Sequence, residues 1–221
     1  MNGHSDCHLL STVRLILQKP PNTRSVVPLP ELSPLTHLAV AEGCGGTTMA
    51  MQYARDFLIS GGRVIWVCEN TPDPERFSQI FNSVEVIALS RLHLLSCGEG
   101  LSGGIDDARK LSERLTPQLV VIDDWTPRTG HADKLAINSV SQLLSLLGPK
   151  SPILMISSLY ADASGAGEWK VRGHSALDKI SATTWLLTTG HNTLGGVQKR
   201  TLKINEEEYT LLIGDDGFST I

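Results

Sequence analysis

Apolar residues in this chain gather in short runs separated by longer amphipathic stretches. Leu38–Ala41, Val64–Cys68, Gln118–Ile122 and Pro152–Ile156 are near-continuous apolar runs of strand length, the pattern of strands buried on both faces. Between them the spacing predicts helices over Met49–Ser60, Pro74–Phe81, Asp106–Leu115 and Lys134–Leu147. In the last of these, Leu135, Val140, Leu143, Leu144 and Leu147 recur at helical intervals, and Gly148-Pro149 stops the run. Val84–Leu89 reads as a further short strand, followed by a glycine- and serine-rich segment, Cys97–Gly104. The chain closes with a helix-like turn, Ser175–Ile180, and with strands at Thr183–Thr188, Gln198–Ile204 and Tyr209–Ile213. The alternation predicts an α/β fold: a mostly parallel twisted sheet flanked by helices, with antiparallel edge strands from the C-terminal segments.

Length and composition narrow this picture. A chain of 221 residues is long enough for one α/β domain with a full core. Residues 1–36 read as a leader, because a short apolar run at His8–Gln18 gives way to the proline-rich KPPNTRSVVPLPELSP. The domain is expected over residues 37–221. A net charge of −4 gives no global attraction to nucleic acid, so any such contact must be local. The four cysteines lack zinc-type spacing, and Cys44 and Cys68 fall in an inferred loop and a core strand. That placement suits a reducing interior rather than a disulfide framework. No apolar run approaches the ~20 residues of a membrane span, so the expectation is an intracellular protein without a membrane partner.

The most informative stretch is Leu38–Thr71, which reads strand, glycine-rich turn, helix, strand. This is the βαβ unit of a nucleotide-binding P-loop fold. In a working loop, backbone N–H groups cradle phosphates at a helix N-terminus, a Lys neutralises them, and a Ser/Thr hydroxyl joins the Mg²⁺ shell. Laid on G-x-x-x-x-G-K-[ST], the chain gives Ala41-Glu-Gly-Cys-Gly-Gly46-Thr47-Thr48. Gly43, Gly45 and Gly46 remain, Thr47 stands at the Lys, and Thr48 at the metal-side hydroxyl, although it serves equally as a helix cap. The apolar run Gln118–Ile122 ends in Asp123-Asp124, as a Walker B strand does, with Asp123 placed to hold Mg²⁺ alongside Thr48. A plain turn and a strand-end acid explain the same residues without a ligand. ATP and Mg²⁺ are therefore expected to bind weakly at most.

The ordered run of motifs resembles the ATPase core of the RecA/RadA recombinase superfamily, with RadA, RadB and the eukaryotic recombinase paralogues as the nearest types. The resemblance spans Leu38 to the C-terminus. Its most specific piece is Val64–Phe77, where a strand ending in Glu69 is followed by Pro74-Glu75-Arg76. It implies a RecA-like P-loop core in which Glu69 stands at the water-activating carboxylate. Gly173–Leu177 with Ser181–Thr183 is similar to the segment closing the family's second DNA-binding loop, and Asp216-Gly217-Phe218 to its closing turn. The stretch Tyr160–His174 then aligns with that loop, and its Trp169, Lys170, Arg172 and His174 suit stacking on unpaired bases with phosphate neutralisation. Arg128, His131 and Lys134 follow the Walker B strand, where the family has its first DNA loop. Lys199, Arg200 and Lys203 read as a solvated strand face.

Several departures shape the functional expectation. No Lys occurs between Lys19 and Lys110, Ser158-Leu159 replaces the family's Asn-Gln sensor, and no Phe precedes Phe57 to form a Phe-x-x-Ala filament hook. Loss of the P-loop Lys costs several kcal/mol in a partly desolvated polyphosphate site (on the order of a broken buried ion pair), so efficient hydrolysis is not expected. The resemblance implies an accessory paralogue in homologous recombination and DNA repair. It would bind a RadA-type recombinase or another paralogue, with single-stranded DNA as a second ligand, in a hetero- or homo-oligomer. Such a protein is cytoplasmic in an archaeon and nuclear in a eukaryote. Two alternatives stand beside it. One is a non-catalytic RecA-fold subunit of a ring such as the Elongator accessory subcomplex. The other is an ATPase completed by a basic residue in trans.

Overall fold

A computed structural model describes residues 28–98, 100–126, 134–161, 169–171, 173–194 and 197–221. The parallel part of the sheet is built from β1 (Leu35–Val40), β2 (Val64–Cys68), β3 (Leu92–Ser96), β4 (Leu119–Asp123) and β5 (Ile153–Ser158). A two-stranded ribbon follows, β6 (Tyr160–Ala161) with β7 (Trp169–Lys170). Then come the C-terminal strands β8 (Thr183–Leu194), β9 (Val197–Ile204), β10 (Glu207–Gly214) and β11 (Gly217–Thr220). The main sheet runs β11-β10-β9-β8-β1-β5-β4-β2-β3. Strands β3 to β8 across that order are mutually parallel, and β9, β10 and β11 turn back antiparallel. This is the mixed sheet that the sequence predicts.

Alternate residues of the central strands enter two cores, one on each face. Leu38, Val64, Trp66, Val121, Leu154 and Ile156 pack in the first, beneath α1 (Gly46–Ile59) and α2 (Pro74–Phe81). Ile65, Val67, Val120, Ile122, Ile153 and Met155 pack in the second, beneath α4 (Leu101–Leu115) and α5 (Lys134–Leu147). The period of two comes from the pleat, and burial of both sets explains why the runs are apolar throughout.

Local chemistry fixes several ends. Asp73 caps α2, accepting from the Arg76 backbone N–H at 2.7 Å, with Pro74 at the first helical position. The largest difference from expectation lies at Val84–Leu89. Val86–Leu89 forms a short helix, α3, and the strand follows at Leu92–Ser96. A brief apolar run carries no period that separates helix from strand, so the turn at Ser90-Arg91 decides it. β1 begins at Leu35, inside the stretch read as leader, and Pro30 accepts a 2.6 Å hydrogen bond from the Tyr53 hydroxyl on α1. Helix α4 starts at Leu101, taking in part of the glycine-rich segment. The predicted turn near Ser175 is α6 (His174–Asp178). Among the described residues, no helix is long and apolar enough to cross a membrane.

Candidate functional site

The glycine loop leaves β1 where Ala41 N–H donates to Leu187 O of β8 at 2.8 Å. Gly43 (φ 70°) and Gly45 (φ 91°) take left-handed backbone that only glycine adopts at low cost. Gly45, not Thr48, is the N-cap of α1, and no side chain caps that end. The loop walls a cleft of about 490 Å³ together with Asp124, Ser157, Ser158 and Tyr160. The arrangement of strand, glycine turn and uncapped helix end is thus present.

The two threonines diverge. Thr47 Oγ1 donates to Asp123 Oδ1 at 3.3 Å. Thr48 Oγ1 instead accepts from Arg76 Nε at 3.2 Å. The residue beside the strand-end acid is therefore Thr47, one position earlier than the sequence alignment puts it. Arg76 also donates to Gln79 Oε1 (2.8 Å), Asp215 O (3.1 Å) and Gly214 O (2.7 Å). Its fork ties α2, the first turn of α1 and the β10–β11 turn together, so the Pro-Glu-Arg element acts here as a structural clamp. Arg76→Ala is expected to lower stability by about 2–3 kcal/mol, seen as a fall in the urea midpoint at unchanged m-value.

Asp123 is buried, and desolvation, with help from the Asp124 charge, raises its pKa to about 7 against the lowering effect of the Thr47 bond. Asp124 itself is exposed with φ 56°, a left-handed position that Asp tolerates better than most residues. Among the described residues lining the cleft none is basic, whereas Glu42 and Asp124 are acidic. Those residues do not fit a magnesium nucleotide, because they supply no cation for its phosphates. Nor do the described residues contain a cluster of three or more His, Cys, Asp or Glu arranged for a metal.

Other candidates lie elsewhere. Glu69, at the end of β2, is half-buried and is not among the cleft-lining residues; its charge acts on Cys97. Arg200, read from sequence as solvated, is buried at 8% exposure, with Nη2 3.3 Å from Gly43 O of the loop. Strand periodicity gives a face but not what covers it, and here the loop after β1 covers it. Ser157 was not singled out by sequence. It lines the cleft while its hydroxyl lies 2.7 Å from His37 Nε2, and burial lowers the His37 pKa to about 3, keeping that ring neutral.

The nucleic-acid candidates are partly gathered. Trp169, Lys170 and His174 line a second cleft of about 310 Å³ with Tyr160 and Val171. Pairing of Tyr160 with Lys170 across the β6–β7 ribbon brings them there. Trp169 is 46% exposed, and His174 Nδ1 lies 3.5 Å from Asp178 Oδ1. Tyr160 belongs to both clefts. Lys134 is exposed at the start of α5 and is not among the residues of either cleft. Arg128, His131 and Arg172 lie outside the described residues.

No family model matches the chain, and no curated protein matches it in sequence. A crystal structure of the RadB recombinase superposes with a TM-score of 0.66 at 19% identity, covering 86% of this chain and 92% of that one. At that identity the likeness speaks for architecture alone, and with the mixed sheet and its glycine turn it gives this chain a RecA-like fold.

Proposed function

We propose that this chain is a recombinase paralogue that works through macromolecular contacts rather than through ATP turnover. It binds a RadA-type recombinase or another paralogue and assists homologous recombination and DNA repair. The observation that carries the reading is the likeness to the RadB recombinase over nearly the whole of both chains. The altered glycine loop, a degenerate Walker A motif in this reading, supports it. So does the cleft that joins Trp169, Lys170 and His174, which offers an aromatic face beside positive charge, the combination that single strands favour.

Tagged purification from the native cell after nuclease treatment tests the partner. Recovery of a RadA-type recombinase is the expected result. Recovery of tRNA-modification subunits instead would replace this reading with the structural-subunit alternative. Single-strand binding is tested separately with an oligo-dT probe. Affinity is expected to fall steeply with salt, and Lys170→Ala with Arg172→Ala should reduce the log–log salt slope by about 1.4 if each contacts one phosphate. Trp169→Ala should cost about 1–3 kcal/mol of binding. An unchanged slope in the double variant removes the ribbon from the DNA interface.

A further inference from the structure

The register of the glycine loop follows from Thr47. In a working P-loop, the hydroxyl next to the Lys shares the metal with the acid that ends the Walker B strand. Thr47 is the residue that meets Asp123, while Thr48 faces Arg76. Counted back from Thr47, the second glycine is Gly45, the Lys position is Gly46, and the first glycine position is Val40. Both departures then fall at one contact. A Cβ on Gly46 would stand 2.6 Å from Val40 Cγ2, 3.3 Å from Val40 Cγ1 and 3.1 Å from Ile156 Cγ2. Val40 is buried and lines the cleft.

Gly46 is not needed for its backbone. It is absent from the glycines with positive φ and is the first residue of α1, where alanine suits a helix better. Space alone explains it. Gly45 differs, because its φ of 91° demands glycine whatever surrounds it.

We propose that Val40 and Gly46 are a reciprocal exchange of bulk that plugs the path by which a loop lysine would reach the polyphosphate subsite. The valine methyls fill the room through which a lysine stem rooted at 46 would pass, and the glycine makes way for them. The cleft walled by the loop stays open, and the lysine path into it is blocked at one contact while the loop keeps its course. Thr47 is not the missing cation position; it stands at the hydroxyl position beside the strand-end acid. This inference rests on the reading of the chain as a paralogue that does not turn over ATP.

Two measurements on the full chain test it. The first is a stability cycle over Val40→Ala and Gly46→Ala. Gly46→Ala alone overpacks the contact and should lower Tm by about 5 °C. In the Val40→Ala background the same change should leave Tm unchanged or raise it. Additive effects would overturn the plug, whatever the variants bind. The second is titration with a fluorescent ATP analogue in Mg²⁺. Val40→Gly with Gly46→Lys should bind at least about tenfold more tightly than the natural chain, a gain of roughly 1.4 kcal/mol, and Thr47→Lys should not. The reverse outcome would place the Lys position at 47 and refute the register. If the natural chain itself binds the analogue at micromolar concentration and hydrolyses ATP, the non-hydrolysing reading fails, and the stability cycle still reports on the contact.

Discussion

Asp123→Asn is expected to stabilise the protein above pH 7 by about 4 kcal/mol, an order-of-magnitude figure from 1.36 kcal/mol per pH unit. Burial holds the folded-state pKa at about 7, above the ordinary value of 3.8. The folded state therefore binds the proton more tightly than the unfolded chain does. Linkage then makes stability greatest below pH 4, declining as pH rises from about 4 to 7, and flat beyond. Asn keeps an oxygen for the Thr47 hydroxyl and carries no charge, so the penalty disappears. Urea unfolding of both proteins at pH 4.5, 6 and 8 is the measurement. Curves that converge toward low pH and separate by several kcal/mol at pH 8 are expected. Parallel curves would show that Asp123 is solvated or paired in solution.

Trp185→Ala should destabilise by about 3–5 kcal/mol, the range for deleting a large buried aromatic. Trp185 is 2% exposed on β8, next to β1, with its ring 6.4 Å from that of Tyr53 on α1. It thus joins the helix that follows the glycine loop to the strand that receives Ala41 N–H. The indole Nε1 has no hydrogen-bond partner among the described residues. Trp185→Phe removes that unsatisfied donor along with part of the ring, and the two effects oppose each other. Phe is therefore expected within about 1.5 kcal/mol of the natural protein. Equilibrium urea unfolding distinguishes the cases; a mild Ala variant would mean that the core closes over the void.

The sequence determined the βαβ order, the burial of both faces of the central strands and the antiparallel return of the C-terminal ones. Those features are local or periodic: apolar runs, the Asp73-Pro74 helix start and the Gly148-Pro149 stop are written in neighbouring residues. Helices Pro74–Phe81 and Lys134–Leu147 have in the structure the bounds that the pattern predicts. Val84–Leu89 misled because six apolar-rich residues show no usable period, and hydrogen bonds around Ser90 and Arg91 turned the chain before the strand.

The candidate site was only partly legible. Glycines, paired threonines and an acid pair announce a P-loop in sequence. Two adjacent threonines after two adjacent glycines, however, leave its register open by one residue. Only the tertiary structure decided which threonine meets Asp123, because that contact joins residues 76 positions apart. The same holds for Arg200 against Gly43 and for Arg76 between Thr48 and the β10–β11 turn. Strand periodicity tells which face a side chain takes but not which loop crosses above it. The meeting of Val40 with Gly46 is likewise invisible along the chain. Its cause is steric, a methyl group and an absent Cβ competing for one space that exists only when strand and helix are packed together.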